Sequence, residues 1–347
     1  MKHPKPSRIR DTVYVIGAGF SKGLGYPLTN QLLTDVWCHL PADSKDPLIK
    51  IIQFHHPRFD VNDPKSYPDI EQLLTEISVN LRLFDSSRPA EGRFTKKQLR
   101  DSRRTLLQAI TLWFHELYED AVKTPWLSEI VKRMRSQKAA IVSFNWDLIL
   151  DHRLLSGDLD PEAYGLAKHL GKGPLLLKPH GSLNWYEGEQ LEPVSDAKKV
   201  EIFHSKDASK CVHAFLLPRH VMSSAGKHYT PLIIPPTYFK NFKPTLFKRL
   251  WRNCTEVLSS PRQVIFLGYS LPASDLHAHF ILRCGFHNQL NGRIKDADTR
   301  YEATGPAEVL IVNPDEAAAQ RIKDVAGPQV RCSWIKKRIE EWVQNDE

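Results

Sequence analysis

The chain has 347 residues, 41% hydrophobic and 25% charged, with a formal charge of +8, enough for one large α/β domain with an insertion or for two modest domains. No run approaches the ~20 apolar residues of a membrane span, and Met1–Arg10 is basic without the apolar core of a signal peptide, so no membrane association and a cytoplasmic location are expected. Cys38, Cys211, Cys254, Cys284 and Cys332 are widely spaced without a C-x-x-C pair, which argues against a disulfide framework and a zinc ribbon.

In chain order, Val13-Tyr14-Val15-Ile16 reads as a buried strand, followed by Gly17-Ala18-Gly19-Phe20-Ser21, a glycine turn of the kind that brings backbone N–H groups to a phosphate. Leu28, Leu32, Leu33 and Val36 then recur at helical spacing, with Thr29 or Asn30 as the N-cap. From Pro41 to Asp69 the text is rich in Pro, Asp and His, with His55-His56 in a Pro-flanked loop. Three amphipathic helices follow, around Ile70–Leu81, Leu106–Leu117 and Trp126–Met134. Residues 40–136 are expected to form an inserted α-helical subdomain. The basic run Arg93–Arg104 is a solvated helix face or a polyanion or partner surface, and the overall charge does not decide whether nucleic acid is bound directly.

Strand signals return at Ala139–Ser143, Leu175–Leu177, Leu232–Ile234, Val264–Leu267 and Val309–Val312, each a short continuous apolar run suited to burial on both faces of a parallel sheet. The polar stretch Glu187–Lys210 reads as loop with an irregular hairpin. The fold class expected is α/β, a Rossmann-like, mostly parallel sheet with helices on both faces, built from residues 1–39 and 137–347.

The residues directly after the strands are Gly17–Ser21, Phe144-Asn145-Trp146-Asp147, Lys178-Pro179-His180-Gly181-Ser182, Pro235-Pro236-Thr237, Gly268-Tyr269-Ser270 and Asn313-Pro314-Asp315. In an open parallel sheet, strand carboxyl ends converge on the ligand crevice. The dinucleotide fingerprint G-x-G-x-x-G breaks at Lys22, and Asp35, at the spacing of its acidic ribose ligand, lies inside a helical pattern; no G-K-[ST] follows either. His180 is the side chain best matched to proton transfer near neutrality, Asn145 can orient a water or a ribose hydroxyl, and Asp147 can accept from an amide. Asn145 and Asp147 also suit an Asx turn before a helix from Leu148 to Leu155. His277 and His279 face different sides of a helix, Cys284 and His287 lack further ligands, and His55-His56 reads as exposed, so no metal is expected.

On Gly17–Ser21, Ser143-Phe144-Asn145-Trp146-Asp147, His180-Gly181-Ser182-Leu183-Asn184-Trp185, Gly268-Tyr269-Ser270-Leu271-Pro272 and Val312-Asn313-Pro314, the sequence resembles the sirtuin-like superfamily, closest to its bacterial branch that hydrolyses NAD in anti-phage defence. The resemblance implies that Gly17, Ala18, Gly19 and Ser21 hold the diphosphate of NAD, that Gly268, Ser270 and Asn313 contact its adenosine half, that Asn145 and His180 are the catalytic pair, and that Asp147 holds the nicotinamide carboxamide. It further implies NAD as substrate, nicotinamide and ADP-ribose as products, a homo-oligomer, and control by a partner such as an ATPase or an Argonaute-like protein. Departures disfavour a protein deacylase: Tyr186–Thr230 holds one cysteine where the deacylases carry a zinc ribbon, and Leu28-Thr29-Asn30 stands where their Asp-Phe-Arg loop is expected. The alternatives are an NAD-dependent deacylase or ADP-ribosyl transferase, and a non-catalytic module that binds NAD or ADP-ribose.

Overall fold

The computed structural model describes residues 10–83, 94–155, 159–167, 170–188, 199–215, 231–234, 245–294 and 300–344. The first half of the chain forms β1 (Thr12–Ile16), α1 (Ala18–Lys22), α2 (Thr29–Val36), α3 (Ala42–His55), α4 (Ile70–Leu83), α5 (Lys96–Ala121), α6 (Pro125–Ser136), β2 (Ala140–Ser143), α7 (Ile149–Arg153) and β3 (Leu175–Leu177). A small antiparallel unit follows, β4 (Trp185–Glu187), β5 (Lys199–Phe203) and β6 (Val212–Phe215). The remainder forms α8 (Thr245–Leu258), β7 (Gln263–Leu267), α9 (Leu276–Asn291), β8 (Arg293–Ile294), β9 (Arg300–Tyr301), β10 (Glu308–Val312), α10 (Glu316–Ala326), β11 (Cys332–Ile335) and α11 (Ile339–Gln344).

Six strands pair in parallel in the order β3-β2-β1-β7-β10-β11. Val13, Tyr14, Val15 and Ile16 are wholly buried, as are Ala140, Ile141, Val142 and all three leucines of β3, which is why these segments carry apolar residues on both faces. From β1 the chain moves outward to β2 and β3, then returns to the other side of β1 for β7, β10 and β11. This is the doubly wound order whose direction reverses between β1 and β7. Right-handed crossovers running in opposite directions place their helices on opposite faces; α6 packs on α11, while α9 packs on both α8 and α10. The sheet is thus α/β and Rossmann-like. Among the described residues no helix is long and apolar enough to cross a membrane.

The structure differs from these expectations, or adds to them, in four places. Leu232–Ile234 is not a strand of this sheet: Ile233 makes one antiparallel bridge to Gly181, closing over the loop after β3. The sheet gains β11 instead, an edge strand half open to solvent whose Cys-Ser-Trp-Ile has no continuous apolar run to betray it. Ala42–His55, for which no helix of its own is predicted, is helical despite Pro47, because Leu48, Ile51 and Ile52 are buried at helical spacing and tertiary burial outweighs the proline. The N-cap of α2 is Leu28, without a side-chain cap, and Thr29 and Asn30 lie inside its first turn. Pro235–Thr237 and Arg93 lie outside the described residues.

Two apolar cores result. The larger surrounds the sheet and takes Trp126, Leu127, Ile130, Val131 and Met134 from α6. The smaller is built from α2, α3, α4 and α5, with Leu32, Leu33, Val36, Ile51, Leu73, Ile77, Leu106 and Ile110, and is joined by Trp146, Leu148 and Leu183 from beyond the strand ends. The helical layer is thereby anchored above the carboxyl edge of the sheet.

Candidate active site

At the switch point the glycines let two backbones touch. The Gly17 N–H donates to Leu267 O at 3.2 Å, the Gly19 N–H to Gly268 O at 2.8 Å, and the Phe20 N–H to Gly17 O at 2.9 Å. A Cβ on Gly17 would lie 2.5 Å from Tyr269 Cδ2, so the absence of one lets the Tyr269 ring cross the turn and stack on Phe144, centroids 4.5 Å apart and planes 3° from parallel. The turn therefore offers a phosphate fewer donors than its sequence suggests. Three of its N–H groups are used inside the protein, and Ala18, first residue of a one-turn helix, keeps an N–H with no intrahelical carbonyl to meet.

Between this edge and the helical layer lies a pocket of about 690 Å³, within the ~300–1,000 Å³ usual for small-molecule sites. Gly17, Ala18, Ser21, Asn145, Asp147, His180 and Ser270 line it from the sheet side, with Phe144, Trp146, Tyr269 and Asp275; Thr29, Leu32, Asp69, Glu71, Thr75 and Glu76 line it from the helical side. Gly19, Gly268 and Asn313 do not line it. Gly19 and Gly268 form the close backbone contact behind it. Asn313 sits behind Tyr269, donating from Nδ2 to Tyr269 O at 3.1 Å and accepting at Oδ1 from the Asp315 N–H at 2.9 Å.

Asn145, Ser21 and Asp147 form one relay. Asn145 Nδ2 donates to Gly17 O at 3.0 Å and to Ser21 Oγ at 2.9 Å, and the Ser21 hydroxyl donates to Asp147 Oδ2 at 2.6 Å. A carbonyl partner fixes which amide atom is nitrogen, and with both amide hydrogens used, Oδ1 is the atom Asn145 has to offer a ligand. Asp147 also accepts at Oδ1 from the Ile149 N–H at 3.1 Å, the Asx turn before α7, which is shorter than the Leu148–Leu155 expected. Burial pushes the Asp147 carboxyl above the usual carboxylate range, opposed by Lys178 and by the Ser21 and Ile149 hydrogen bonds.

Beneath Asp147 lies a buried ion pair. Lys178 Nζ donates to Asp151 Oδ2 at 2.8 Å, to Asp147 O at 2.6 Å and to Ser182 Oγ at 2.6 Å, and the Tyr164 hydroxyl donates to Asp151 Oδ1 at 2.5 Å. Lys178 thus ties the loop after β2 to the loop after β3. His180 emerges from the latter, 3% exposed, its ring edge-on to Phe144 at 5.0 Å and near Trp251 at 6.1 Å. Its Nε2 lies 3.0 Å from Asp275 Oδ2. Burial raises the Tyr26 and Tyr269 phenols well above their ordinary range, so both stay protonated donors in the pocket wall.

Asp151 and Asp275 escaped the sequence reading, and Lys178 stood in it as a strand-end residue without a role. Asp275 carries a legible signal, an Asp before an apolar helical run, and it is indeed the N-cap of α9; nothing local points to its partner 95 residues earlier. Away from the pocket, the ligand atoms of Glu201, His204 and Cys211 lie within 4.8 Å of one another beside β5 and β6. His279 Nε2 meets Pro272 O at 3.2 Å.

No family model matches the chain, and no curated protein does. The chain is similar to solved structures of Sir2 proteins. One is a Sir2 homolog–NAD complex, at 11% identity over 99% of this chain and 93% of that one, TM-score 0.45. Another is Sir2Tm bound to a propionylated peptide, at 14% identity over 96% and 91%, TM-score 0.38. A third is a mutant Sir2 homologue with ADP-ribose, at 10% identity over 96% and 88%, TM-score 0.41. At such identities and TM-scores the likeness says nothing of the chemistry, which has to come from this chain's own residues.

Proposed function

We propose that the protein hydrolyses NAD at the nicotinamide–ribose bond. The observation that carries this reading is the convergence of Asn145, Asp147 and His180 on one pocket at the β1/β7 switch point, where doubly wound sheets of this strand order take dinucleotides. In NAD the nicotinamide is already a cationic leaving group and needs no general acid. As the C1′–N bond breaks, its electron pair neutralises the ring nitrogen, and positive charge develops on the ribose. Besides Asp147, four carboxylates line the pocket, Asp69, Glu71, Glu76 and Asp275, and no lysine or arginine does so among the described residues. That field favours a cationic nicotinamide and an oxocarbenium-like centre over any anionic transition state.

The parts divide as follows. Ala18 and the glycine turn approach the diphosphate, Ser270 the adenosine side, and the Asn145 Oδ1 atom orients water or a ribose hydroxyl. Asp147, held neutral more readily than an ordinary aspartate, faces the carboxamide. His180 takes the proton that water loses on forming the new C1′–O bond, giving ADP-ribose and nicotinamide. NAD depletion as anti-phage defence is the physiological role proposed. Constant activity of that kind is toxic, so control by self-assembly or by a partner protein belongs to the proposal. Leu276 and Phe280, one turn apart on α9 beside the pocket and 53% and 67% exposed, support a protein contact there.

Incubation of the purified protein with NAD, following nicotinamide and ADP-ribose by chromatography, tests the reading. Release without an acyl-lysine peptide is the expected result. Release only with such a peptide would establish a deacylase, and saturable binding with no turnover in any assembly state would establish a binding module.

A further inference from the structure

We infer that Asp275 is a positioning residue that holds the imidazole of His180 in the tautomer with its proton on Nε2, so that Nδ1 carries the lone pair that accepts the substrate proton. The inference rests on His180 acting as the base proposed above, and it adds the group that makes it one.

The pairing is built rather than incidental. Nε2 and Oδ2 are 3.0 Å apart, and the two side chains are 4% and 1% exposed. Asp275 is held from its other side: Oδ1 accepts from the Ala278 N–H at 3.3 Å as the N-cap of α9, and the Tyr269 hydroxyl lies 3.4 Å from Oδ2. His180 is held through its backbone as well. Its carbonyl accepts from the Ile234 N–H at 2.8 Å, and Gly181, at φ +79°, packs so closely on Leu232 O that a Cβ would come within 2.0 Å of it. Two groups separated by 95 residues are thus each fixed by their own loop and meet across the strand ends.

A carboxylate accepts only, so the ring nitrogen facing it must bear the proton, and a neutral imidazole then has its acceptor at Nδ1. When water attacks C1′, the C1′–O bond forms, the C1′–N bond breaks with its electron pair going to nicotinamide, and the water proton passes to Nδ1. The imidazolium so formed keeps its Nε2–H on Asp275, whose charge stabilises it, and the added proton leaves to solvent. This is the orienting logic of a buried acid behind a catalytic histidine, reached here without a nucleophilic serine.

The test uses the full chain and the Asp275→Asn and Asp275→Glu variants. Asparagine also caps helices well, so α9 is retained, while its amide presents an N–H to the ring and favours the opposite tautomer. Asp275→Asn is expected to lower kcat for nicotinamide release by about 10²-fold or more with KM for NAD changed by less than about threefold, and Asp275→Glu to recover part of kcat. In ¹⁵N–¹H spectra taken where the ring is neutral, His180 is expected to be Nε2-protonated in the wild type and to shift toward Nδ1–H in Asp275→Asn. A kcat within threefold of wild type, or a wild-type ring protonated on Nδ1, would overturn the inference. The spectra need no turnover, so they decide it even if the wild type releases no nicotinamide and the functional reading itself fails; if Asp275→Asn does not fold, the wild-type tautomer decides alone.

Discussion

Gly19 and Gly268 meet backbone to backbone at the ends of β1 and β7, and neither position has room for a side chain. A Cβ on Gly268 would lie 2.4 Å from the Gly19 carbonyl carbon, and Gly268 is at φ +59°. Gly268→Ala therefore combines left-handed strain with a backbone collision and is expected to cost about 2–5 kcal/mol. Gly327→Ala is the control, at φ +86° and ψ 167°, a region open almost only to glycine, with nothing within 4 Å of the added Cβ; it bears backbone strain without a collision, about 1–3 kcal/mol. Denaturant unfolding of both checks this, and equal losses would contradict the close approach.

Lys178 is wholly buried with three partners, one of them Asp151 at 2.8 Å. Lys178→Met leaves the Asp151 carboxylate unpaired in the interior and should destabilise the protein by about 3–5 kcal/mol. Replacing both, Lys178→Met with Asp151→Leu, should cost less than the sum of the single changes, because the uncompensated charge is gone. Strict additivity in a double-mutant cycle would argue against the pairing.

Asp147 makes stability depend on pH with a defined sign. Its folded pKa lies above the unfolded value, chiefly through burial. The folded state therefore holds the extra proton between those two values, and stability falls as pH rises through that interval. Asp147→Asn removes this contribution: the melting temperature at neutral pH should be no lower than wild type, and its decline above the unfolded aspartate range should flatten. Nicotinamide release should nevertheless fall by about tenfold or more, because one of two oxygens that both accept hydrogen bonds, from Ser21 and from the Ile149 N–H, becomes an N–H donor and the contact with the carboxamide is disturbed.

Asn145→Ala removes the hydrogen bonds to Gly17 O and Ser21 Oγ as well as the Oδ1 atom facing the pocket. With His180→Ala, it should lower kcat by about 10²–10³-fold, while calorimetry with ADP-ribose finds binding within about tenfold of wild type. Full turnover by either variant would remove that residue from the chemistry.

The pocket is lined by five acidic side chains and by no lysine or arginine among the described residues. The additional phosphate of NADP meets no compensating cation there. NAD should be preferred by about tenfold or more in kcat/KM, with the preference shrinking at high salt.

By itself the sequence determined the pieces whose causes are local. A strand buried on both faces must be apolar throughout, so five of the six parallel strands announce themselves, and the groups carrying chemistry follow them directly. The exceptions have physical reasons. β11 is an edge strand, free to hold polar residues, and Leu232–Ile234 is apolar because it covers the loop after β3 rather than pairing in the sheet. Periodicity recognised α6 as a helix without telling that its apolar face joins the core of the sheet, and it passed over α3, where burial of Leu48, Ile51 and Ile52 overrides Pro47. Only the tertiary structure decided which strand-end groups face one pocket and which stand behind it. Asn145 meets Ser21 across 124 positions and His180 meets Asp275 across 95, and such pairings follow from strand order and crossover path, which no local pattern of residues encodes.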